Sequence, residues 1–384
     1  GPAACGTYGN PAGVCAAHGR FGTVPLAQLA APAVRAAREG VTLNAQQAWI
    51  FELLRPMVEF SAESRELYFV DGRFPLEGDV LCNPDLAAAI ERLAVDGPEP
   101  FYRGDLAERV LEWVEPLGAA ITREDLRAYR AVEREPVRID YRGHEVLTNP
   151  PPSAGGILIA AALAKLAETP GPPSLDSLID VMEHAQGART EEFVAGLARE
   201  GFVDEFLSVR LGNTTHISAM DAEGWACTVT CTNGECSGVV VPDTGIHLNN
   251  MMGEEDLNPL GFFRHAPGRR LPSMMSPTIV RRDGRPELVL GSAGSNRIRS
   301  AITQTVVNVM DHGMPVDEAV AAPRVHWEDG VLYAEPGLDL GDREAARFAA
   351  LNIFFGGVQA VQARDGALVG AADPRRGGAA VVVD

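Results

Sequence analysis

The spacing of hydrophobic residues changes along the chain from a helical period to a strand period. In the first part, apolar residues recur at every third or fourth position, which is typical of amphipathic helices. A stretch without that period opens the chain, and 1–14 is predicted to form a loop. The predicted helices cover 25–39, 44–54, 86–95, 106–114 and 123–129.

Strict alternation of apolar and polar residues first appears at 137–141, followed by a turn and a second predicted strand at 145–148. A stiff turn rich in Pro and Gly, 149–156, leads into a predicted apolar helix at 157–167. The segment 175–198 predicts another long helix.

From residue 213 onward the chain is rich in short alternating segments. A helix is predicted at 296–310, and helices followed by hairpins with a returning helix predict the α+β class with layered sheets. The predicted strands are 216–221 with 225–232, 278–281 with 287–290, and 332–334, 358–363, 367–369 and 379–383.

The first of these hairpins brings two threonines together. If its turn is centred on Glu223, Thr214 and Thr232 lie nine residues to either side. Residues opposite each other in an antiparallel pair project from the same face with close Cβ atoms. The register therefore predicts that the Thr232 hydroxyl lies beside Thr214.

Thr214 is a candidate nucleophile because its own α-amino group can serve as the base. That requires cleavage of the peptide bond between Asn213 and Thr214. An α-amine has a pKa of about 7.7–8, so a useful fraction is unprotonated near neutral pH. The small side chain of Asn213 leaves room for the Thr214 hydroxyl to attack the preceding carbonyl, and hydrolysis of the resulting ester would free the amine.

Acyl transfer also needs donors for a developing oxyanion, and the run 291–297 can supply them. It follows a predicted strand, contains Gly291 and Gly294, and opens the helix at 296–310. A phosphate-binding loop is the rival interpretation. The run lacks both the Lys-Ser/Thr pair of a P-loop and the glycine spacing of a dinucleotide loop.

Composition and charge exclude several classes of binding partner. The chain has 384 residues and a formal net charge of −19 at pH 7, which argues against nucleic acid and against anionic membrane surfaces. The longest apolar runs, 157–164 and 379–383, are far shorter than a membrane span. The six cysteines form no CxxC pair and no zinc set, so we expect reduced thiols and no metal. A cytoplasmic location is expected, with a segment upstream of residue 1 missing.

The chain resembles the γ-glutamyltranspeptidase family of N-terminal-nucleophile hydrolases. Seven short motifs occur in the family's order, and together they are specific although each one alone is weak. They are Tyr-Arg-Gly at 141–143, Pro-Pro-Pro-Ser-Ala-Gly-Gly at 150–156, Thr-Thr-His at 214–216, Gly-Ile-His-Leu-Asn-Asn at 245–250, Ser-Met-Met-Ser-Pro-Thr at 273–278, the run 291–297, and Asp-Pro-Arg-Arg at 373–376.

The resemblance implies a four-layer αββα fold and self-cleavage before Thr214. Residues 1–213 would form a mostly helical large-subunit-like part, and 214–384 a strand-rich catalytic part, together one globular domain. Thr214 would be the nucleophile and Thr232 its hydrogen-bond partner. Gly294 and Ser295 occupy the place of the family's Gly-Gly pair, whose amides form the oxyanion hole.

The resemblance also assigns substrate-binding positions, several of which depart from the family pattern. Glu254 aligns with the acid that binds the α-amino group, whereas Met251 replaces a glutamine. Where the family often has paired serines, this chain has Ser273 and Met274. The family's usual asparagine after the second threonine is Gly234, and its neighbours Asn233 and Glu235 are candidate substitutes. The family's N-terminal segment with its carboxylate-binding arginine has no identified counterpart.

The sequence therefore predicts an autoprocessing threonine hydrolase or acyltransferase that cleaves a γ-glutamyl-type amide. No metal or organic cofactor is needed. The expected partners are a small-molecule substrate and the two fragments of the chain, with a homo-oligomer left open. Two alternatives remain: the same fold acting on another amide or on a C–C bond in natural-product biosynthesis, or an uncut relative without catalysis.

Overall fold

A computed structural model describes residues 1–187, 215–254, 257–258, 261–262 and 264–383. By internal packing the chain divides into two units, each described by itself below. The helical unit comprises Gly1–Glu133 with Asn233–Glu254, and the sheet unit comprises Arg134–Thr232 with Glu255–Asp384. The predicted parts 1–213 and 214–384 depend on a cleavage point outside the described residues, so that division stays a prediction.

The α-helices of the described chain are α1 (Asn10–Phe21), α2 (Leu26–Glu39), α3 (Ala45–Leu53), α4 (Arg55–Val58), α5 (Ala62–Tyr68), α6 (Pro84–Asp96), α7 (Glu99–Tyr102), α8 (Asp105–Val114), α9 (Arg123–Ala128), α10 (Ala154–Ala167), α11 (Leu175–Gly187), α12 (Arg297–Met310) and α13 (Val316–Ala321). The strands are β1 (Val41–Thr42), β2 (Val80–Leu81), β3 (Val137–Tyr141), β4 (His144–Thr148), β5 (Thr215–Met220), β6 (Ala226–Cys231), β7 (Val240–Val241), β8 (Ile246–His247), β9 (Thr278–Arg282), β10 (Arg285–Ala293), β11 (Val325–Glu328), β12 (Val331–Ala334), β13 (Ala346–Arg347), β14 (Gly357–Arg364) and β15 (Ala367–Ala372).

The helical unit is built from amphipathic helices with capped starts. The Asn83 side chain accepts a hydrogen bond from the amide of Leu86 and begins α6, while Thr122 and Asp125 form a capping box at α9. Such caps satisfy amides that have no partner inside the helix. Residues of α7 and α8 contribute to a buried apolar cluster with the short strand β7. The helices predicted between 25 and 129 are confirmed, with boundaries shifted by one or two residues. The predicted helix 175–198 is confirmed as far as Gly187, and 188–198 lies outside the described residues.

The sheet unit contains a six-stranded antiparallel sheet in the order β15-β14-β10-β9-β4-β3. Helices α10 and α12 pack on it, and the hairpin β5–β6 packs against β10, β9 and β14. The main apolar cluster combines residues of α10 and α12 with residues of β9, β10 and β14. The predicted α+β class is confirmed.

Two end segments differ from the sequence prediction. The prediction of a loop at 1–14 was wrong, because α1 begins at Asn10 with Pro11 in its first turn, a position that proline favours. The apolar periodicity of α1 is weak because none of its residues is buried. At the other end, 379–383 forms no strand, and Val381, Val382 and Val383 are exposed.

The Tyr-Arg-Gly motif ties three elements together. Tyr141 Oη donates to Asp311 at 2.5 Å, and Arg142 Nε donates to the same carboxylate at 2.9 Å. The second terminal nitrogen of Arg142 donates to the carbonyls of Thr169 at 2.9 Å and Gly171 at 2.8 Å. These carbonyls follow the C-terminus of α10. The motif therefore has a structural role at the end of this helix.

The Asp-Pro-Arg-Arg motif contributes to a buried charge network. The Arg375 guanidinium donates to Glu335 at 2.7 and 2.5 Å, and Arg324 pairs with Asp373 at 2.7 Å. All four side chains are at most 2% exposed. Burial alone would raise the pKa of Asp373, but the guanidiniums of Arg324 and Arg375 hold it below its ordinary value. Two cations and two anions thus compensate each other in the interior.

No helix among the described residues is long and apolar enough to cross a membrane. Within the same described residues, no group of three or more His, Cys, Asp or Glu side chains is arranged to hold a metal ion.

Asp373→Asn is expected to destabilise the fold because it leaves the buried guanidinium of Arg324 without its counter-charge. Removing one partner of a buried pair costs about 3–5 kcal/mol of unfolding free energy. Urea denaturation at pH 7.5 measures this loss. Asp365→Asn is the matched control, because that side chain is 93% exposed and pairs only at the surface, and it should cost under about 0.5 kcal/mol. A loss below about 1 kcal/mol for Asp373→Asn would contradict this account.

Candidate active site

The hairpin β5–β6 has the register that the sequence predicts. Thr215 pairs with Cys231, His216 with Thr230, and the ladder continues to Met220 opposite Ala226. Each pair is symmetric about Glu223, so the predicted centre of the turn is confirmed. At this register the position opposite Thr232 is 214. Asn213 and Thr214 lie outside the described residues, and their roles stay predictions.

A polar cluster lies on the buried side of this hairpin. His216 is 6% exposed, its Nδ1 lies 2.8 Å from Thr230 Oγ1, and its Nε2 lies 2.8 Å from Ser218 Oγ. The Thr228 hydroxyl lies 3.1 Å from the same Nε2. Burial lowers the pKa of His216 to about 4, so the ring is neutral near pH 7. His216 is thus a buried strand histidine whose ring nitrogens both have hydrogen-bond partners.

The loop after β10 contains the two candidate oxyanion donors, Gly294 and Ser295. Gly294 has φ +128° and Ser295 has φ +57°, so both residues are in conformations with positive φ. The Gly294 carbonyl accepts from the amide of Arg297 at 3.0 Å, which starts α12. Among the described residues, neither the Gly294 amide nor the Ser295 amide donates a hydrogen bond. Both amides are therefore available as donors just before the N-terminus of α12, and their role in an oxyanion hole stays a prediction.

Close backbone packing holds this loop. A Cβ on Gly294 would lie 2.5 Å from the Cα of Gly356, so only glycine fits there. The same Cβ position lies 3.5 Å from a terminal nitrogen of Arg376. Burial lowers the pKa of Arg376 to about 10, which leaves the guanidinium charged at pH 7, and it donates to the Ile353 carbonyl at 3.3 Å. The loop is thus bordered by a fixed positive charge.

The candidate pair Ser273 and Met274 lies on a segment bound to the start of α10. The Ser273 carbonyl accepts from the Ala154 amide at 2.8 Å and from Ser153 Oγ at 3.2 Å. A Cβ on Gly155 would collide with the Met274 carbonyl, which explains the glycine in the Pro-rich motif. Met274 is fully buried in the main apolar cluster. Its side chain therefore packs in the core, whereas Ser273 is half-buried.

The other substrate-binding candidates belong to the helical unit. The Asn233 side chain donates to the His247 carbonyl at 2.7 Å. Gly234 has φ +62°, and a Cβ there would collide with side-chain oxygens of Asn250 and Glu254. Glu254 is 8% exposed. The place of the family's asparagine side chain is thus filled from the Asn250–Glu254 side, and any side chain at 234 would displace this buried carboxylate.

Two neighbouring asparagines shape the backbone around these candidates. Asn250 Oδ1 accepts from the amide of Glu235 at 2.9 Å, whose own side chain is exposed. Asn249 Oδ1 accepts from the amide of Met251 at 3.1 Å, and its side-chain nitrogen donates to the Gly6 carbonyl at 2.7 Å. Both asparagine side chains therefore stabilise the local backbone. Met251 itself is half-buried at the start of a short 3-10 turn.

Sequence reasoning missed the cluster around His216 and the cation at Arg376. The cluster had a signal in the sequence, because Ser218, Thr228 and Thr230 are polar at every second position on the side that faces β10. Small hydroxyl residues at strand spacing suggest hydrogen bonding between layers rather than solvent exposure. The position of Arg376 had no signal in the sequence, because its place beside Gly294 depends on a contact between segments far apart in the chain.

These features agree with comparisons to known proteins. Residues 1–196 and 198–383 match the sequence pattern of a family described as "Gamma-glutamyltranspeptidase". The chain therefore belongs to the γ-glutamyltranspeptidase family, a family of hydrolase and transferase enzymes.

Individual relatives place the chain within that family. The glutathione hydrolase proenzyme of Escherichia coli (strain K12) is 34% identical over 429 aligned residues, covering 97% of this chain and 74% of that protein. The acylase ACY 1 proenzyme of Pseudomonas sp. (strain V22) is 31% identical, with 97% of this chain and 74% of that protein covered. The crystal structure of cephalosporin acylase from Bacillus halodurans matches with TM-score 0.83 at 25% identity, covering 99% and 78% of the two chains. The predicted N-terminal-nucleophile fold is thus shown.

His247, in the Gly-Ile-His-Leu-Asn-Asn motif, makes the helical unit sensitive to acid. Its Nε2 accepts from the Gly238 amide at 2.9 Å, so Nδ1 carries the hydrogen and donates to Tyr68 Oη at 2.7 Å. Burial lowers the pKa of His247 from 6.5 to about 4. Below pH 6.5 the unfolded chain protonates this histidine, whereas the folded chain does so only near pH 4. The free energy of unfolding therefore falls as the pH is lowered from 6.5 to about 4.

His247→Gln should reduce the loss of unfolding free energy between pH 7.5 and pH 4.5 by about 2–3 kcal/mol relative to the unsubstituted protein. Urea denaturation at the two pH values measures it, and the difference between proteins removes the shared contribution of the carboxylates. His312→Gln, at an exposed histidine, is the matched control. An unchanged pH dependence in His247→Gln would refute the buried neutral ring as the source.

Proposed function

We propose that this protein is an autoprocessing hydrolase and acyltransferase in which Thr214 is the nucleophile and the substrate is a γ-glutamyl amide. One observation carries the proposal. The observed register of β5–β6 ends with Thr215 opposite Cys231, and continuing it by one pair would bring Thr232 opposite position 214. The same unit contains the Gly294 and Ser295 amides, which donate no hydrogen bond within the described residues. A hydroxyl pair and an amide pair are what acyl transfer on threonine needs.

Maturation begins when Thr214 Oγ attacks the carbonyl carbon of Asn213. The bond from that carbon to the Thr214 nitrogen breaks, the nitrogen takes the hydroxyl proton, and an ester joins the two residues. Water then hydrolyses the ester, leaving a carboxylate on Asn213 and a free amine and hydroxyl on Thr214. The products are two fragments of the chain, residues 1–213 and 214–384.

Turnover repeats the same chemistry on a substrate. The Thr214 amine takes the hydroxyl proton as Oγ attacks the substrate amide, and the proton passes to the leaving amine as the C–N bond breaks. Water, or an acceptor amine, then attacks the acyl-enzyme ester and releases the acyl group. Thr232 donates a hydrogen bond to the nucleophile and holds its rotamer.

The Gly294 and Ser295 amides stabilise the negative charge of the tetrahedral intermediate. Each donor of this kind contributes about 10²–10³ in rate in enzymes of acyl transfer. The N-terminus of α12 and the nearby Arg376 guanidinium add positive potential on the same side. Their positions are fixed before substrate arrives, so little reorganisation is needed during reaction.

The acyl group is the less constrained part of the proposal. Relatives named glutathione hydrolase support a γ-glutamyl group, for which Glu254 would bind the α-ammonium. Asn233, Glu235, Met251 and Ser273 are the further candidates for binding the acyl group. Met274, which the family alignment also assigns, is buried in the core of the sheet unit. Because the space at Gly234 is filled, we expect the contact made there by the family's usual asparagine to come from a neighbouring residue, Asn233 or Glu235. The cytoplasmic location and the oligomeric state stay predictions.

Cleavage before Thr214 is the first requirement. The unsubstituted protein, incubated at pH 7.5, should give two bands in denaturing electrophoresis and fragment masses that match 1–213 and 214–384. Thr214→Ala should remain a single chain because it has no hydroxyl to attack Asn213. A fully active preparation that contains only the uncut chain would refute the mechanism.

Hydrolysis of a γ-glutamyl anilide tests the substrate. The mature protein should release the aniline, and Glu254→Gln should raise KM at least about tenfold, because the ammonium loses its counter-charge. Glu235→Gln, at an exposed neighbouring acid, is the matched control and should change KM less than about twofold. If the protein is fully cleaved but does not hydrolyse the anilide, Thr214 remains the proposed nucleophile and the γ-glutamyl substrate is excluded.

A further inference from the structure

The His216 cluster joins the catalytic hairpin to the central strand β10. The Thr228 hydroxyl donates to the Leu290 carbonyl at 3.3 Å, and the Ser218 hydroxyl donates to the Gln359 carbonyl at 3.4 Å. Because these two hydroxyl hydrogens go to carbonyls, the oxygens face His216 Nε2 as acceptors. Nε2 therefore carries the ring hydrogen, and the neutral Nδ1 accepts from Thr230. Every polar atom of the ring is used.

Gly291 completes this contact. The imidazole occupies the space where a side chain at 291 would begin, with Nε2 only 2.7 Å from the position of a Cβ. Ring and strand backbone are thus in direct contact, and neither can shift without the other. Gly291 is three residues before Gly294, whose amide is one of the two proposed oxyanion donors.

The contacts also set the direction of the hairpin relative to β10. Thr228 contacts β10 at Leu290, and His216, which is nearer the open end of the hairpin, contacts it at Gly291. Moving toward the open end of the hairpin therefore moves along β10 in the direction of Gly294.

We propose that His216 is a positioning residue that holds the hairpin β5–β6, which directly follows the proposed nucleophile in the sequence, against the strand that leads to the oxyanion amides of Gly294 and Ser295. His216 is two residues after Thr214 in the sequence, and it contacts β10 at Gly291, three residues before Gly294. This inference rests on the proposed function. It gives the histidine of the Thr-Thr-His motif a role without proton transfer, in agreement with its full set of hydrogen bonds.

The experiment compares His216→Ala, His216→Gln and the control His312→Gln as mature, cleaved proteins with a γ-glutamyl anilide as substrate. Misplacing reacting groups by about 1 Å costs about 10²-fold in rate. His216→Ala should therefore lower kcat about 10²-fold while KM changes less than about threefold. His216→Gln restores one donor and one acceptor and should recover at least about tenfold of kcat. A kcat for His216→Ala within about twofold of the unsubstituted protein would overturn the inference.

Gly291→Ala tests the contact from the other side. The added methyl collides with the imidazole, so kcat should fall about as far as in His216→Ala. In the double variant with His216→Ala the methyl has room, and kcat should exceed that of Gly291→Ala alone. A double variant that shows the full product of both losses would place the two effects at independent sites and contradict the proposal.

Thr230→Val serves if His216→Ala does not fold. It keeps the shape of the side chain and removes only the hydroxyl that donates to Nδ1, and it should lower kcat about tenfold with unchanged KM. An unchanged kcat there would also overturn the inference. Failure of the proposed function looks different, because the unsubstituted protein itself would then be uncut or inactive, whereas here the unsubstituted protein is cut and active.

Discussion

The close approach of two layers at one strand is the constraint on which the rest of the sheet unit depends. Strand β10 bonds to β9 and β14 through its edges, supports α12 on one face, and receives the β5–β6 hairpin on the other. Gly291 has no side chain there, which lets the His216 ring reach the backbone. A strand bound on four sides has little freedom to move. The Gly294–Ser295 loop follows this strand directly and is therefore also restrained. A preorganised site for an anion needs donors that are restrained in this way.

The sequence could predict the parts of the fold that are determined locally. The hairpin register followed from strict alternation around a Gly-containing turn, and residues on one side of a strand cannot slip by one position without exposing the core. The helices predicted at 86–95 and 123–129 are preceded by Asn83 and Thr122, whose side chains bond to amides of the first turn. The Gly-Ser loop at 294–295 was found because it joins a strand to a helix. Each of these signals lies within a few residues of the element it specifies.

The parts that the sequence did not reveal depend on contacts between distant segments. The helix α1 carries little amphipathic pattern of its own, so the expectation of a loop at 1–14 was wrong. The division into units separates Asn233–Glu254 from the strand that precedes it, and no composition change marks that boundary. Met274 aligned with a substrate-binding position, yet the start of α10 holds its backbone and the core holds its side chain. Burial of this kind follows from tertiary packing rather than from residue type.

Ser295 has a consequence for how rigidity and reactivity are balanced. A residue other than glycine at φ +57° raises the free energy of the folded state by about 1 kcal/mol, so the serine weakens the fold slightly. Its Cβ also removes most of the alternative backbone orientations that a glycine would sample in the native protein. The neighbouring amide therefore points in one direction for a larger fraction of time. A small loss of folding free energy at one turn thus accompanies a more uniform backbone orientation beside Gly294.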